Sequence, residues 1–86
     1  MNINELIAII KKKLHHEIVI ENIEIQDKSF LHKNHSGNQI GKYHLKILIK
    51  SNELNKMNKI SSNKKIYKIL DNEIKHLIHS LQILIS

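Results

Sequence analysis

The chain has 86 residues, 14 lysines, no arginine and no cysteine, and its formal net charge is +6 at pH 7. A chain of this length makes one domain with a modest core, and without cysteine it holds no disulfide, thiol nucleophile or cysteine-ligated zinc. No apolar run is long enough to span a bilayer and no signal-peptide pattern opens the chain, so we expect a soluble intracellular protein.

The first two predicted elements are a helix and a strand. One apolar stripe at helical spacing predicts an amphipathic helix over residues 4–15, with Asn4 as its N-cap. The stripe consists of Leu6, Ile7, Ile10 and Leu14. Isoleucines at alternate positions then predict a strand over residues 19–27, with a bulge where the alternation changes phase.

A long loop and a second strand follow. Residues 28–41 show no sustained period and contain both glycines of the chain, Gly37 and Gly41. Loops of this length in small domains are usually functional or disordered. Residues 43–50 alternate apolar and polar side chains, which predicts a strand with one buried face.

The C-terminal half predicts a second main helix and a third strand. Residues 52–58 include a short helical turn, residues 59–76 carry an apolar stripe at helical spacing, and residues 78–85 form a strand. The order is helix–strand–strand–helix–strand. The first two strands can pair antiparallel, and the crossover of loop and helix between the second and third strands favours a parallel second pair. We therefore expect an α+β fold, one domain over residues 1–86, with a three-stranded mixed sheet and two helices on one face.

Seven histidines are the most informative feature of the composition. His32 and His35 lie in the long loop, and His76 and His79 lie just before the last apolar run. Imidazole is a common nitrogen ligand for zinc, iron and copper. If the two groups meet in space, they could donate ligands to a metal whose other ligands come from a partner.

Two of the histidines have simpler interpretations. His76 lies near a predicted helix C-terminus, where a cation is favoured by the helix dipole. His44 alternates onto the same strand face as Lys46. We expect it either at the surface or in support of a neighbouring site.

Three short motifs occur in register along the chain. Asp27-Lys28-Ser29 is followed by His32, which gives the pattern Asp-x-Ser-x-x-His. The second strand begins Tyr43-His44-Leu45-Lys46, and the third begins Ile78-His79-Ser80-Leu81. In this order and spacing the sequence resembles the BolA family over essentially its whole length.

The resemblance implies a fold similar to the class II KH arrangement. It also implies a partner, since BolA proteins pair with monothiol glutaredoxins and share a [2Fe-2S] cluster with them in iron–sulfur trafficking and iron homeostasis. The family's ligand at the start of the last strand corresponds to His79. The second ligand comes from the loop, where His32 matches best and His35 is close enough to compete.

The remaining cluster ligands would come from a glutaredoxin cysteine and from glutathione. We therefore expect no cofactor on the isolated chain, which would be a monomer alone and a heterodimer with its partner. The resemblance is compatible with the cytoplasm, and it leaves nucleus and mitochondrion open.

The alternative is a DNA-binding transcriptional regulator, a role also described for some BolA proteins. The candidate nucleic-acid residues are Lys46, Lys64, Lys65 and Lys68. Arginine, the usual reader of guanine edges, is missing from the chain. Where the family typically has an Arg-His pair early in the second helix, this chain has Ser62-Asn63, and the Gly-x-x-Gly clamp of RNA-binding KH domains is absent.

Enzymatic motifs are absent from the sequence. It has no cysteine, no Gly-x-Ser-x-Gly, no glycine-rich phosphate loop and no pair of carboxylates at a spacing that suggests a catalytic site. The sequence therefore favours a protein that is not an enzyme. One mild departure from the family is Ser80, which stands where alanine is usual.

Overall fold

The computed structural model describes residues 2–29 and 42–86 of the chain. The helices and strands in chain order are α1 (Ile3–Glu17), β1 (Asn22–Asp27), β2 (Tyr43–Lys50), α2 (Asn52–Asn55), α3 (Lys59–Ile69), α4 (Asp71–His76) and β3 (Ile78–Ile85). The predicted α+β class and the order of main elements are confirmed, as is the short helical turn after β2. The predicted loop over residues 28–41 lies mostly outside the described residues.

The sheet has the strand order β1–β2–β3. β1 and β2 are antiparallel, with Ile23 opposite Ile49, and β2 and β3 are parallel, with Leu48 opposite Leu84. The three-stranded mixed sheet is therefore as predicted. The parallel pair depends on the crossover through α2, α3 and α4, because parallel strands cannot be joined by a tight turn.

The core lies between one face of the sheet and the two longer helices. Its buried members come from α1, α2, α3, β2 and the start of β3, with residues that flank α1 and α3. Burial of each of these side chains contributes about 1.5–3 kcal/mol of apolar transfer free energy. They include Leu6, Ile10, Leu14, Ile18, Leu45, Ile47, Ile49, Leu54, Ile66, Leu70 and Ile78.

The other face of the sheet is open. Alternation within the strands places Glu24, Lys46, Leu48, Gln82 and Leu84 on this face. None of the five is buried, and Leu84 is 44% exposed. Both longer helices therefore pack on one side of the sheet, as the sequence predicts.

The predicted N-cap of α1 is wrong. Asn2 caps the helix, since its Oδ1 accepts a hydrogen bond from the Glu5 backbone N–H at 2.8 Å, and its Nδ2 donates to Glu5 Oε1 at 2.9 Å. Asn4 lies inside the first turn. An earlier start is favoured because it places Glu5 at the third helical position, where its carboxylate accepts a hydrogen bond from the capping residue.

The predicted strand over residues 19–27 is too long. Ile18 ends α1, with its backbone N–H donating to Leu14 O at 2.9 Å, and β1 begins only at Asn22. Between them, Val19 O accepts a hydrogen bond from Ser51 Oγ at 2.7 Å. The alternation of Ile18 and Ile20 therefore belongs to the exit from α1.

The predicted helix over residues 59–76 is interrupted at Leu70. This residue has φ −97° and ψ 17°, which separates α3 from α4. Hydrogen bonds continue through the break, because Leu70 N–H donates to Ile66 O and Ile74 N–H donates to Leu70 O. The apolar stripe runs on through the break, so the sequence pattern does not reveal it.

Candidate functional site

The parallel ladder between β2 and β3 is irregular at its first residues. Tyr43 is opposite Ile78, and the next pair along β2 is His44 with Ser80. His79 is therefore the extra residue of a β-bulge in β3. Bulges redirect a side chain and are frequent beside binding sites. The bulge predicted in β1 is not found among its paired residues, which keep a regular register with β2.

The bulge places two imidazoles side by side. The ring centroids of His44 and His79 are 4.8 Å apart, and the ring planes are inclined by 56°. His44 is buried, at 4% exposure, whereas His79 is exposed. The expectation that His44 lies at the surface is wrong, and its position beneath His79 agrees with the alternative, a residue that supports a site.

His44 is held in place by contacts with three neighbouring residues. Its Nδ1 and Ser80 Oγ share a hydrogen bond of 2.7 Å. Its backbone N–H donates to Ser29 Oγ at 3.1 Å, and its carbonyl accepts from the Lys28 backbone N–H at 2.7 Å. The imidazole beneath His79 is therefore fixed in position.

The Asp-x-Ser motif at the end of β1 explains part of this anchoring. Asp27 Oδ1 accepts a hydrogen bond from the Ser29 backbone N–H at 2.9 Å, which is the contact of an Asx-turn. The turn holds Ser29 so that its hydroxyl reaches the backbone of His44. The motif thus links the entrance of the loop to the histidine pair, a role that its sequence spacing alone does not reveal.

A depression of about 350 Å³ lies beside His44, and two cationic side chains are among those that line it. Lys28 and Lys46 contribute to its wall, together with Ser80 and Gln82. Ammonium groups raise the local potential and favour an anionic occupant.

The predicted loop ligands His32 and His35 lie outside the described residues. His76 is the last residue of α4 and is exposed. Its place at the C-terminal end of a helix is as predicted. Within residues 2–29 and 42–86, no group of three or more His, Asp or Glu side chains is arranged to hold a metal ion.

The four lysines predicted to contact nucleic acid do not share one surface. Lys64, Lys65 and Lys68 lie on α3, whereas Lys46 lies on the open face of the sheet, opposite the helices. Lys65 also forms an ion pair with Glu53, with 3.2 Å between Nζ and Oε2. The structure therefore groups three of the four residues and separates Lys46 from them.

No helix within residues 2–29 and 42–86 is both long and apolar enough to cross a bilayer.

Comparison with known sequences gives a family match over most of the chain. The family profile described as "BolA-like protein" matches residues 14–86. A relative from Haemophilus influenzae, named "DNA-binding transcriptional regulator BolA", is 30% identical over 73 residues, which cover 85% of this chain and 68% of the relative.

Comparison with solved structures supports the same fold. The BolA domain of SufE1 from Arabidopsis thaliana superposes with a TM-score of 0.77 at 23% identity, covering 100% of this chain and 93% of that domain. BolA1 from Arabidopsis thaliana gives a TM-score of 0.74 at 23% identity, covering 91% of this chain and 86% of the other. At these identities the likeness shows the fold.

Proposed function

Because the chain belongs to the BolA-like family, we propose that it is a non-enzymatic adaptor that shares a [2Fe-2S] cluster with a monothiol glutaredoxin. Its role would be in iron–sulfur trafficking and iron homeostasis. The observation that carries the proposal is the exposed imidazole of His79. A β-bulge places it beside the fixed ring of His44, with 4.8 Å between the ring centroids.

The donor set of the chain fits such a cluster. Two imidazoles bind one iron of a [2Fe-2S] cluster in Rieske centres, so a pair of histidines is a sufficient contribution from one protein. The chain has no cysteine, so every thiolate ligand must come from another molecule, here the glutaredoxin and glutathione. Lys28 and Lys46 line the depression beside His44 and would stabilise an anionic cluster with thiolate ligands.

We assign the ligand roles to His79 and to one loop histidine, His32 before His35. His44 is assigned a positioning role, because its ring packs against His79 and it is held by Ser80 and Ser29. Fixing the ring beneath a ligand limits the orientations that the ligand adopts, and this orienting effect is strong at metal sites. When bound, the cluster supplies the iron and sulfide that are passed on, and the chain supplies orientation and nitrogen donors.

The test is a titration of a monothiol glutaredoxin carrying a glutathione-bound [2Fe-2S] cluster, followed by visible absorption and circular dichroism. We expect the wild-type chain to shift the spectrum at one equivalent and His79→Ala to leave it unchanged. His32→Ala and His35→Ala then identify the loop ligand, since the variant that lacks the true ligand loses most of the shift.

His76→Ala is the matched control, because His76 is also exposed and lies three residues before His79. It should give the wild-type spectrum. The proposal fails if His79→Ala still shifts the spectrum, or if His76→Ala abolishes the shift as completely as His79→Ala.

A second candidate function is sequence-specific DNA binding. It is favoured by the name of the Haemophilus influenzae relative and by the three lysines that α3 presents on one helix. Contacts of lysine with phosphate alone weaken steeply as salt rises, so a regulator should retain specific binding at moderate salt. Lys64→Ala with Lys68→Ala should then weaken binding at least tenfold in an anisotropy assay.

Lys46→Ala provides the comparison for the DNA experiment, because Lys46 lies on the opposite face of the sheet from α3. A regulator that reads DNA with α3 should tolerate this change. Binding that is lost at moderate salt in the wild-type chain, or that falls equally in all variants, would exclude specific recognition by α3.

A further inference from the structure

The last strand of the sheet combines an open edge with an uncharged sequence. β3 pairs with β2 on one side, and within the described part of the chain no strand pairs with its other side. Residues 78–85 contain no charged side chain and no proline. Natural sheet edges usually carry lysine, proline or a covering element, because a bare apolar edge is a template for another strand.

The backbone groups that point out of this edge can be identified from the ladder. Ser86 N–H donates to Ile49 O at 2.8 Å, and Ser86 O accepts from Ser51 N–H at 3.0 Å, so both groups of Ser86 face β2. In a parallel strand the two backbone groups of one residue point to the same side, and the side alternates from residue to residue. Leu81, Ile83 and Ile85 therefore direct their N–H and C=O groups to the open edge.

Helix α3 borders this edge and adds apolar side chains to it. Tyr67 Oη donates a hydrogen bond to Leu81 O at 3.2 Å, which confirms that this carbonyl points outward. Among the described residues four large apolar side chains are exposed, and three of them, Ile60, Tyr67 and Leu84, lie on α3 or β3. Two depressions, of about 290 and 430 Å³, adjoin one another here and share Lys59 and Asn63.

The charge around the edge indicates what kind of segment fits. Residues 54–70 contain five lysines and no acidic residue. A second copy of the chain, paired through the same edge, would bring two such lysine-rich helices together, and like charges at close range oppose association. An acidic segment has the complementary charge.

We propose that the open edge of β3, together with Ile60, Tyr67 and Lys64 of α3, binds an extended acidic segment of a partner protein, which joins the sheet as a fourth strand. Main-chain hydrogen bonds to Ile83 and Ile85 give the affinity, and the side chains of α3 and Leu84 give the selectivity, as in other complexes formed by strand addition. The surface lies along β3 away from His79, so the proposal does not depend on cluster binding.

The test uses a synthetic peptide of alternating valine and glutamate, titrated into the ¹⁵N-labelled full chain at neutral pH. We expect the amide protons of Ile83 and Ile85 to exchange with solvent at least tenfold more slowly in the complex. The amide of Leu84 already faces β2 and should change little. The readout is specific for strand addition, because a purely electrostatic encounter does not protect alternate amides of one strand.

Two variants form a matched pair for this experiment. Leu84→Asp and Val19→Asp each replace an exposed aliphatic residue by aspartate, but Val19, at 68% exposure, is not among the residues that line the two depressions. Leu84→Asp should weaken peptide binding at least tenfold, and Val19→Asp should stay within twofold of the wild-type chain.

Several results would overturn the proposal. They are equal weakening by the two variants, no protection of Ile83 and Ile85, or equally tight binding of a peptide of alternating valine and lysine. Protection of the same amides by increasing protein concentration alone would show that a second copy occupies the edge. Protection of the Ile83 and Ile85 amides by a single-stranded oligonucleotide but not by the acidic peptide would show that the open edge of β3 binds nucleic acid.

Discussion

At the scale of single residues, Ser80, which follows His79, helps to fix the position of a buried imidazole. Ser80 Oγ lies 2.7 Å from His44 Nδ1, and this contact joins residues 36 apart in the sequence. From the family resemblance alone, serine in place of alanine at this position is expected to be a minor change. In this chain the hydroxyl is part of the anchoring of the imidazole that supports His79.

Ser80→Ala should therefore lower the free energy of unfolding by about 0.5–1.5 kcal/mol, because a partly buried hydrogen bond is lost. The change should also shift the imidazole resonances of His44 in NMR spectra. Ser61→Ala is the comparison, since Ser61 lies on α3 and its backbone N–H, rather than its side chain, forms a hydrogen bond within the described residues. Equal unfolding midpoints in urea for the two variants would contradict the assigned role of Ser80.

At the scale of elements, asparagine side chains begin both longer helices. Asn2 caps α1, and Asn58 Oδ1 accepts from Ser61 N–H at 2.8 Å to cap α3. Asparagine is favoured at this position because its side chain satisfies a backbone donor that has no partner within the helix. In a chain without proline and with two glycines, these caps are the main local signals that set where the helices begin.

Asn2→Ala should cost about 0.5–1 kcal/mol in the free energy of unfolding, because the donor of Glu5 loses its acceptor. Asn4→Ala, two residues later within the first turn, should be neutral or slightly stabilising, since alanine has the higher helix propensity. Chemical denaturation of the two variants measures the difference. A larger loss of unfolding free energy for Asn4→Ala than for Asn2→Ala would show that Asn4 is the N-cap.

At the scale of the whole molecule, an ion pair joins the first helix to the last. Lys13 Nζ lies 2.7 Å from Glu73 Oε2, and the side chain of Glu73 is 4% exposed whereas that of Lys13 is 40% exposed. Oε1 of the same carboxylate is buried without a hydrogen-bond partner in the described structure. A buried carboxylate is costly without a countercharge, so Lys13 stabilises the position of α4 against α1.

Lys13→Ala should lower the free energy of unfolding by about 1–3 kcal/mol, since it leaves a buried carboxylate uncompensated. Lys12→Ala removes an exposed lysine one residue earlier and should change stability by less than about 0.5 kcal/mol. Combining Lys13→Ala with Glu73→Leu should recover part of the loss, because apolar replacement of both partners is often tolerated. Equal unfolding midpoints for the two single variants would show that the pair does not stabilise α4.

The sequence predicts the architecture better than the site, and the reasons differ by residue. Alternation in residues 43–50 predicts β2 directly, because one face of the strand packs on the helices. The break at Leu70 and the bulge at His79 are not predicted, since each depends on how two elements meet in three dimensions. Burial of His44 is missed for the same reason: the residue alternates with lysine, and only the neighbouring strand and the turn at Ser29 cover it.

The parallel pairing of β2 with β3 also has a consequence for the order of folding. The antiparallel contact of β1 with β2 requires closure of one loop, but the parallel contact forms only after the chain between Lys50 and Ile78 has been ordered as a crossover. His44 and His79 lie on the two strands of that later contact. We therefore expect the imidazole pair to be assembled late in folding, and a chain in which β3 has not docked would retain α1 and the β1–β2 hairpin without bringing His79 beside His44.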